Sequence, residues 1–249
     1  MVAIGQPQHG WIYLGKKRLH RLDFLLRLTS AKSSFHKVTL VPGETTVIFL
    51  RQLAQKLDLN ETKLMNNYQK QSQFREAGML AESYHIPSTL QEKGIIRYLL
   101  KYATKVYKKL SIEQSDLWDI AGWNRLLTVA SIIQKEAANR AEMPIVASVI
   151  YNRLRKNMRL QMDGTLNYGE YSHIRVTPKR IKGDKTTFNT YKHRGLPDYP
   201  VCAVSLDAIR AAINPAKTDY LYFMKGQNGT HDFSKDYKTH LKHVKKKRH

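Results

Sequence analysis

LLTVASIIQKEAANRAEMPIVASVIYNRL, residues 126–154, contains two runs of apolar side chains spaced three and four apart. That spacing predicts two helices, about Gly122–Asn139 and Glu142–Lys156, with Pro144 near the start of the second, where a missing N–H costs little. Leu126, Val129, Ile132 and Ile133 form the stripe that should face a core. One turn further along, the same stripe reaches Glu136, while Gln134 and Lys135 are expected on the wet side. Two readings stand side by side. A carboxyl drawn inward along an apolar face holds its proton tightly, as the general acid of a glycosidase does. Alternatively, Glu136 simply ends the stripe and pairs with Lys135, Arg140 or Arg153.

Upstream, HKVTLVPGETTVIFLRQLAQKL (36–57) reads as a strand, a Pro42-Gly43 turn and a helix capped by Thr45 or Thr46. A second helix should cover Glu61–Gln71. MLAESYHIPSTLQ (79–91) reads as extended chain leading to a long amphipathic helix that ends near Lys109. The polar stretch SIEQSD (111–116) suggests a boundary. Downstream, MRLQMDGTLNYG (158–169) suggests strand and turn, and residues 177–200 a polar loop of the kind that builds sites. A helix from Ser205 to Ile213, a hairpin about Gln227-Asn228-Gly229 and a basic helix should close the chain. The expected class is therefore α+β. Residues 1–34 read as the remainder of a preceding module or linker, 35–110 as a small α+β module with its connecting segment, and 111–249 as a mixed α+β domain.

The 249-residue chain carries 42 Lys and Arg against 20 Asp and Glu, a net charge of +22. Such an excess suits a polyanionic partner, although a basic proteome would produce it as well. No zinc-finger spacing, RNP-like motif or recognition helix accompanies the charge, so nucleic acid is not the expected partner. Cys202 is the only cysteine, which excludes an intrachain disulfide and a cysteine-rich zinc site. His231 and His240 read as ordinary solvated histidines, and no HExxH-type spacing occurs, so neither metal nor other cofactor is expected. No apolar run of bilayer length is present; WIYLGKKRLHRLDFLLRL (11–28) is interrupted by five basic residues.

The blocks ASIIQKE (130–136), ASVIYNRLRKNMRLQMDGTLNYG (147–169), FNTYKHRGLP (188–197), NPAKTDYLYF (214–223) and HDFSKDYKTH (231–240) occur in one order and spacing. Together they resemble the endolytic murein transglycosylases, the MltG or YceG-like family, over about Leu126–His240. Residues Val38–Tyr107 look like that family's LysM-like module and connecting segment. The resemblance places the catalytic glutamate at Glu136. It implies a lyase that cleaves peptidoglycan glycan strands between N-acetylmuramic acid and N-acetylglucosamine, leaving 1,6-anhydro ends.

Polar side chains are then needed around the cationic carbon of the transition state. Gln161, Asp163, Asn189 and Tyr191 are the candidates, with Asn152 on the second helix and, by a weaker carry-over, Glu82. Asp163 equally fits an Asx-turn before Gly164, Asn189 and Tyr191 equally fit loop braces, and Arg153 fits a packing or carboxylate-orienting role. Three departures from the family pattern stand out: Gly164 where proline is usual, GLPDYPVCAV in place of a Pro-Gly-rich continuation, and a less aromatic AESYHIP. The resemblance further implies a bacterial inner-membrane address facing the periplasm, through an N-terminal anchor absent from this chain, and peptidoglycan synthases as partners. A muramidase using Glu136 and Asp163, or a non-catalytic wall-binding module, are the competing expectations.

Overall fold

The computed structural model describes residues 18–30, 35–115 and 119–248. Residues 1–17 and 31–34 of the expected N-terminal remnant, and Asp116 of the expected boundary, lie outside the described residues. The described part of the remnant forms helix α1 (Arg21–Ser30).

The first unit follows a strand–helix–helix–strand order. Strand β1 (Phe35–Thr39) leads through the Pro42-Gly43 turn, where Gly43 takes a φ of +90°, into α2 (Thr46–Leu57) and α3 (Glu61–Gln71). Strand β2 (Ser83–Pro87) returns antiparallel to β1, pairing Pro87 with Phe35 and Ser83 with Thr39. Thr45 takes the cap position of α2, but its hydroxyl does not cap; it donates to Gly169 O at 2.8 Å. The free N–H of Thr46 instead meets the buried Glu76 carboxyl at 3.0 Å. Phe49, Leu50, Leu53, Leu64, Tyr68 and Ile86 fill this unit's core.

The long helix α4 (Glu92–Ser115) runs past Lys109, and the expected division at 110/111 falls inside it. Its first half, with Ile95, Ile96 and Leu99, belongs to the first core, whereas Ala103, Tyr107 and Leu110 belong to the second. Tyr107 stacks on Trp123 at 5.5 Å between centroids.

Helix α5 (Ile120–Glu136) is the axis of the second core. Asp119 caps it, accepting from Ala121 N and Gly122 N at 3.0 and 2.8 Å. Leu127, Ile132 and Ile133 are fully buried, each contributing roughly 1.5–3 kcal/mol of apolar burial. Helix α6 (Met143–Arg155) and, beyond the six-residue α7 (Pro178–Gly183), helix α8 (Leu206–Ile213) pack against α5. The hairpin of β3 (Tyr222–Lys225) and β4 (His231–Ser234) and the basic α9 (Tyr237–Arg248) complete this α+β chain.

Three further sequence expectations change. The first predicted helix of the opening stretch ends at Glu136, because Ala137 turns extended and Asn139 caps the next turn through Glu142 N at 3.1 Å. Residues 158–169 form no strand; Asn157 and Gln161 take φ values of +51° and +52°, which break extended geometry, and Asp163–Leu166 winds into a 3₁₀ turn. Gln134 is not on a wet face. Its Oε1 accepts from Ser205 Oγ at 2.7 Å and holds the start of α8.

The hairpin is anchored by Glu142, whose carboxylate accepts from His231 N at 2.8 Å and lies 2.7 Å from His231 Nδ1. Burial alone would raise this carboxyl, but bonds from His231 and Ala138 outweigh it and hold Glu142 below the ordinary range. That stabilisation is present above the unfolded pKa and is lost as pH falls through the lower folded value. Glu142→Ala should lower unfolding stability by on the order of 3 kcal/mol at pH 7, with the gap to wild type closing in acid, as read by denaturant titration.

Candidate active site

Glu136 is the last residue of α5, half-buried, with dense protein around its carboxyl and one edge toward solvent. None of its three candidate partners pairs with it. Lys135 Nζ reaches Ser172 Oγ at 3.1 Å, Arg140 pairs with Asp207 at 2.5 Å, and Arg153 donates to backbone carbonyls. Among the described residues, the one hydrogen bond to the carboxyl comes from a backbone amide: Gly164 N donates to Oε1 at 2.6 Å. Burial pushes the carboxyl up to about 7; the Gly164 bond lowers it, the nearby Asp163 charge raises it and Arg153 lowers it.

Several tethers bring residues 159–165 to this position. Arg153 Nη1 donates to Leu160 O at 2.5 Å and its Nε to Leu221 O at 2.6 Å, fixing both segments to α6. Burial depresses the Arg153 pKa, and the Tyr222, Tyr191 and Glu136 side chains raise it. Gln161 N donates to Thr190 O at 3.1 Å, and Met162 N to Thr190 Oγ1 at 3.1 Å. Thr165 Oγ1 donates back to Met162 O at 2.7 Å. The turn so formed permits no side chain at Gly164: a Cβ there would lie 2.5 Å from Lys135 Cβ and 2.8 Å from Glu136 Oε1.

Asp163 and Tyr191 meet beside Glu136. The Tyr191 hydroxyl donates to Asp163 Oδ1 at 2.7 Å, and burial followed by the Asp163 contact raises the phenol further, so it stays neutral. Gln161, exposed, lies two residues along from Asp163. The remaining candidates lie elsewhere. Asn189 is fully buried and braces the loop, donating to Ile181 O and Asp184 O at 2.8 Å each. Asn152 donates to Thr218 O and Tyr220 O at 2.8 and 2.9 Å, joining α6 to the chain entering the hairpin. The Glu82 side chain is exposed, and its carbonyl accepts from Leu40 N in the first unit.

The Gly164 amide is not legible in the sequence, because a backbone donor leaves no side-chain signature; the Asp163-Gly164 dipeptide is its one trace. Among the described residues no three His, Cys, Asp or Glu side chains gather to hold a metal ion.

This carboxyl, its amide donor and the Asp163–Tyr191 pair lie inside a stretch that a known sequence family matches. The profile of the YceG-like family covers residues 6–246. The chain belongs to the YceG-like family. This YceG-like chain is 43% identical over 120 residues to the endolytic murein transglycosylase of Bacillus subtilis, covering 48% of this chain and 33% of that protein. It is 38% identical over 106 residues to the endolytic murein transglycosylase of Streptococcus pneumoniae, covering 41% of this chain and 19% of that one. The match thus spans a third or less of these relatives. A yceG-like protein from Listeria monocytogenes has a similar fold, with a TM-score of 0.69 at 24% identity over 89% of this chain and 80% of that one.

Because burial holds Glu136 protonated, the carboxyl favours folding below its unfolded pKa of about 4.5, and that advantage is lost as pH rises through about 7. Glu136→Gln should match wild-type stability at the acid end. It should exceed it by up to ~3 kcal/mol at pH 8.5, in paired denaturant titrations. Gly164→Ala, by contrast, should destabilise at every pH by about 1–3 kcal/mol, because either the α5 end or the turn must shift.

Proposed function

We propose that this chain is the catalytic part of a lytic murein transglycosylase, with Glu136 acting first as acid and then as base. The observation that carries the reading is a carboxyl raised to about 7, with Oε1 occupied by an amide and Oε2 left to exchange a proton. The names of the Bacillus and Streptococcus relatives supply the substrate class, the glycan strands of peptidoglycan.

In the first half-reaction the proton on Glu136 passes to the oxygen bridging N-acetylmuramic acid and N-acetylglucosamine, and the C1–O bond breaks. The muramoyl C6 hydroxyl then attacks C1, its proton returns to the Glu136 carboxylate, and a 1,6-anhydro ring closes. No water enters and the enzyme ends as it began. A pKa near neutral suits both proton transfers. The Asp163 charge serves twice, raising Glu136 and facing the positive charge that builds at C1. Tyr191 holds Asp163 in place, Gln161 offers an exposed amide to the sugar, and Asn152 and Asn189 support the walls. The first unit acts as a LysM-like module that orients the strand. The working address is the periplasmic face of the bacterial inner membrane, beside peptidoglycan synthases.

Digestion of purified glycan strands followed by mass spectrometry tests this. Wild type should release anhydro-muramoyl ends, and Glu136→Gln should lose about 10²–10⁴-fold in rate. Reducing ends without anhydro products would make the enzyme a hydrolase instead. The rate should fall above pH 7 as free Glu136 ionises. Asp163→Asn should move that limb to lower pH, because it removes the anion that raises Glu136.

A further inference from the structure

Helix α4 carries a second feature that the glycan reaction does not use. Arg97, Lys101, Lys105 and Lys109 are all exposed and follow one another at every fourth position, a single row about 18 Å long. Beside it runs a second row, in which Leu100 and Thr104 are recessed, Lys108 adds a further exposed cation and Ile112 is 60% exposed. Between the rows lies a mostly apolar groove of about 850 Å³. Like charges four apart on a helix repel and weaken it. One acidic side chain, Glu113, extends the cationic row, 3.9 Å from Lys109. Helix stability alone therefore gives no reason for this row.

The shape of the groove narrows what it can meet. Every residue that lines it except Gln71 comes from α4 itself, so it has one wall and not two. A partner helix laid in a groove needs both walls. A second copy of this chain would bring another +22 charge to the same place. A flat anionic surface with an apolar layer beneath satisfies both rows at once: headgroup phosphates meet the cations, and the exposed Ile112 reaches past them.

We propose that this face of α4 docks on an anionic phospholipid surface. The docking is independent of the Glu136 chemistry.

Vesicle co-sedimentation tests it. The chain should partition onto phosphatidylcholine vesicles containing about a quarter phosphatidylglycerol, and not onto phosphatidylcholine alone, with binding weakening between ~0.1 and ~0.5 M salt. Because any chain of this charge is drawn to anions, the decisive comparison is between two double variants of equal charge change. Lys101→Glu/Lys105→Glu should lose about ten-fold or more in partitioning, and Lys179→Glu/Lys217→Glu, on the exposed surface of the other unit, less than about three-fold. Lys101→Gln/Lys105→Gln, whose melting should match wild type, repeats the test without added repulsion. Equal losses in the two pairs, or no binding to anionic vesicles, overturn the proposal. Retention on immobilised polyglutamate through Lys101 and Lys105, without vesicle binding, assigns the face to an acidic polypeptide and overturns it too.

Discussion

The contact between Glu136 Oε1 and the Gly164 amide joins the end of α5, the axis of the second core, to the turn that carries Asp163. A carboxyl at the inner end of an apolar stripe is poorly solvated, so some donor has to approach it. The Gly164 amide approaches to 2.6 Å in a turn where a Cβ would lie 2.5 Å from Lys135 Cβ and 2.8 Å from Glu136 Oε1, which calls for glycine at 164. The tight 3₁₀ turn, the left-handed backbone at Gln161 and the threonine tethers to Thr190 all keep that amide in place. Asp163 is then carried to Tyr191 as a consequence of the turn.

The turn is braced in its turn by the first unit. Thr45 Oγ1 holds Gly169 O, Arg51 pairs with Glu170 at 2.7 Å, and Glu44 meets His173 at 2.8 Å. On the other side, Gly43 N and Ala203 O bond at 2.9 Å, and Ala81 N and Val204 O at 3.0 Å. The entry to α2 therefore serves as the back wall of the loop that follows the site. With α4 contributing to both cores, the two halves of the chain share their interior as well as their edges.

Periodicity made the helices legible, and with them Glu136. A stripe three and four apart survives any detail of packing, and the stretch 126–154 folds as two helices broken where Asn139 and Pro144 stand. Residues 158–169 look like strand in the sequence because extended chain and a chain of turns share a composition; the difference lies in the positive φ values at Asn157 and Gln161, which no side chain announces. A polar residue beside an apolar stripe usually faces water, but the Gln134 amide meets Ser205, seventy-one positions away. Asn152 and Asn189 have the residue types of sugar ligands, but identical amides satisfy buried carbonyls equally well. Asp163 and Tyr191 were named separately, and only the fold makes them a pair.

Burial alone does not single out a proton-transfer group, because the chain contains a second carboxyl in similar straits. Burial raises Glu76 to about 7 as well. Its Oε1 accepts from the Thr46 amide at 3.0 Å, the Thr46 hydroxyl and the Ala77 amide at 3.2 Å, and its Oε2 also lies 3.2 Å from Thr46 N. Both oxygens are engaged in holding the start of α2 to the chain before β2, so a proton there has nowhere to go without loosening that joint. Glu136 accepts at one oxygen only and keeps an edge toward solvent. Two carboxyls that burial raises alike are thus separated by their unused hydrogen-bonding capacity. It is the unoccupied Oε2, beside Asp163, on which we base the proposal that Glu136, and not Glu76, gives a proton up and takes one back.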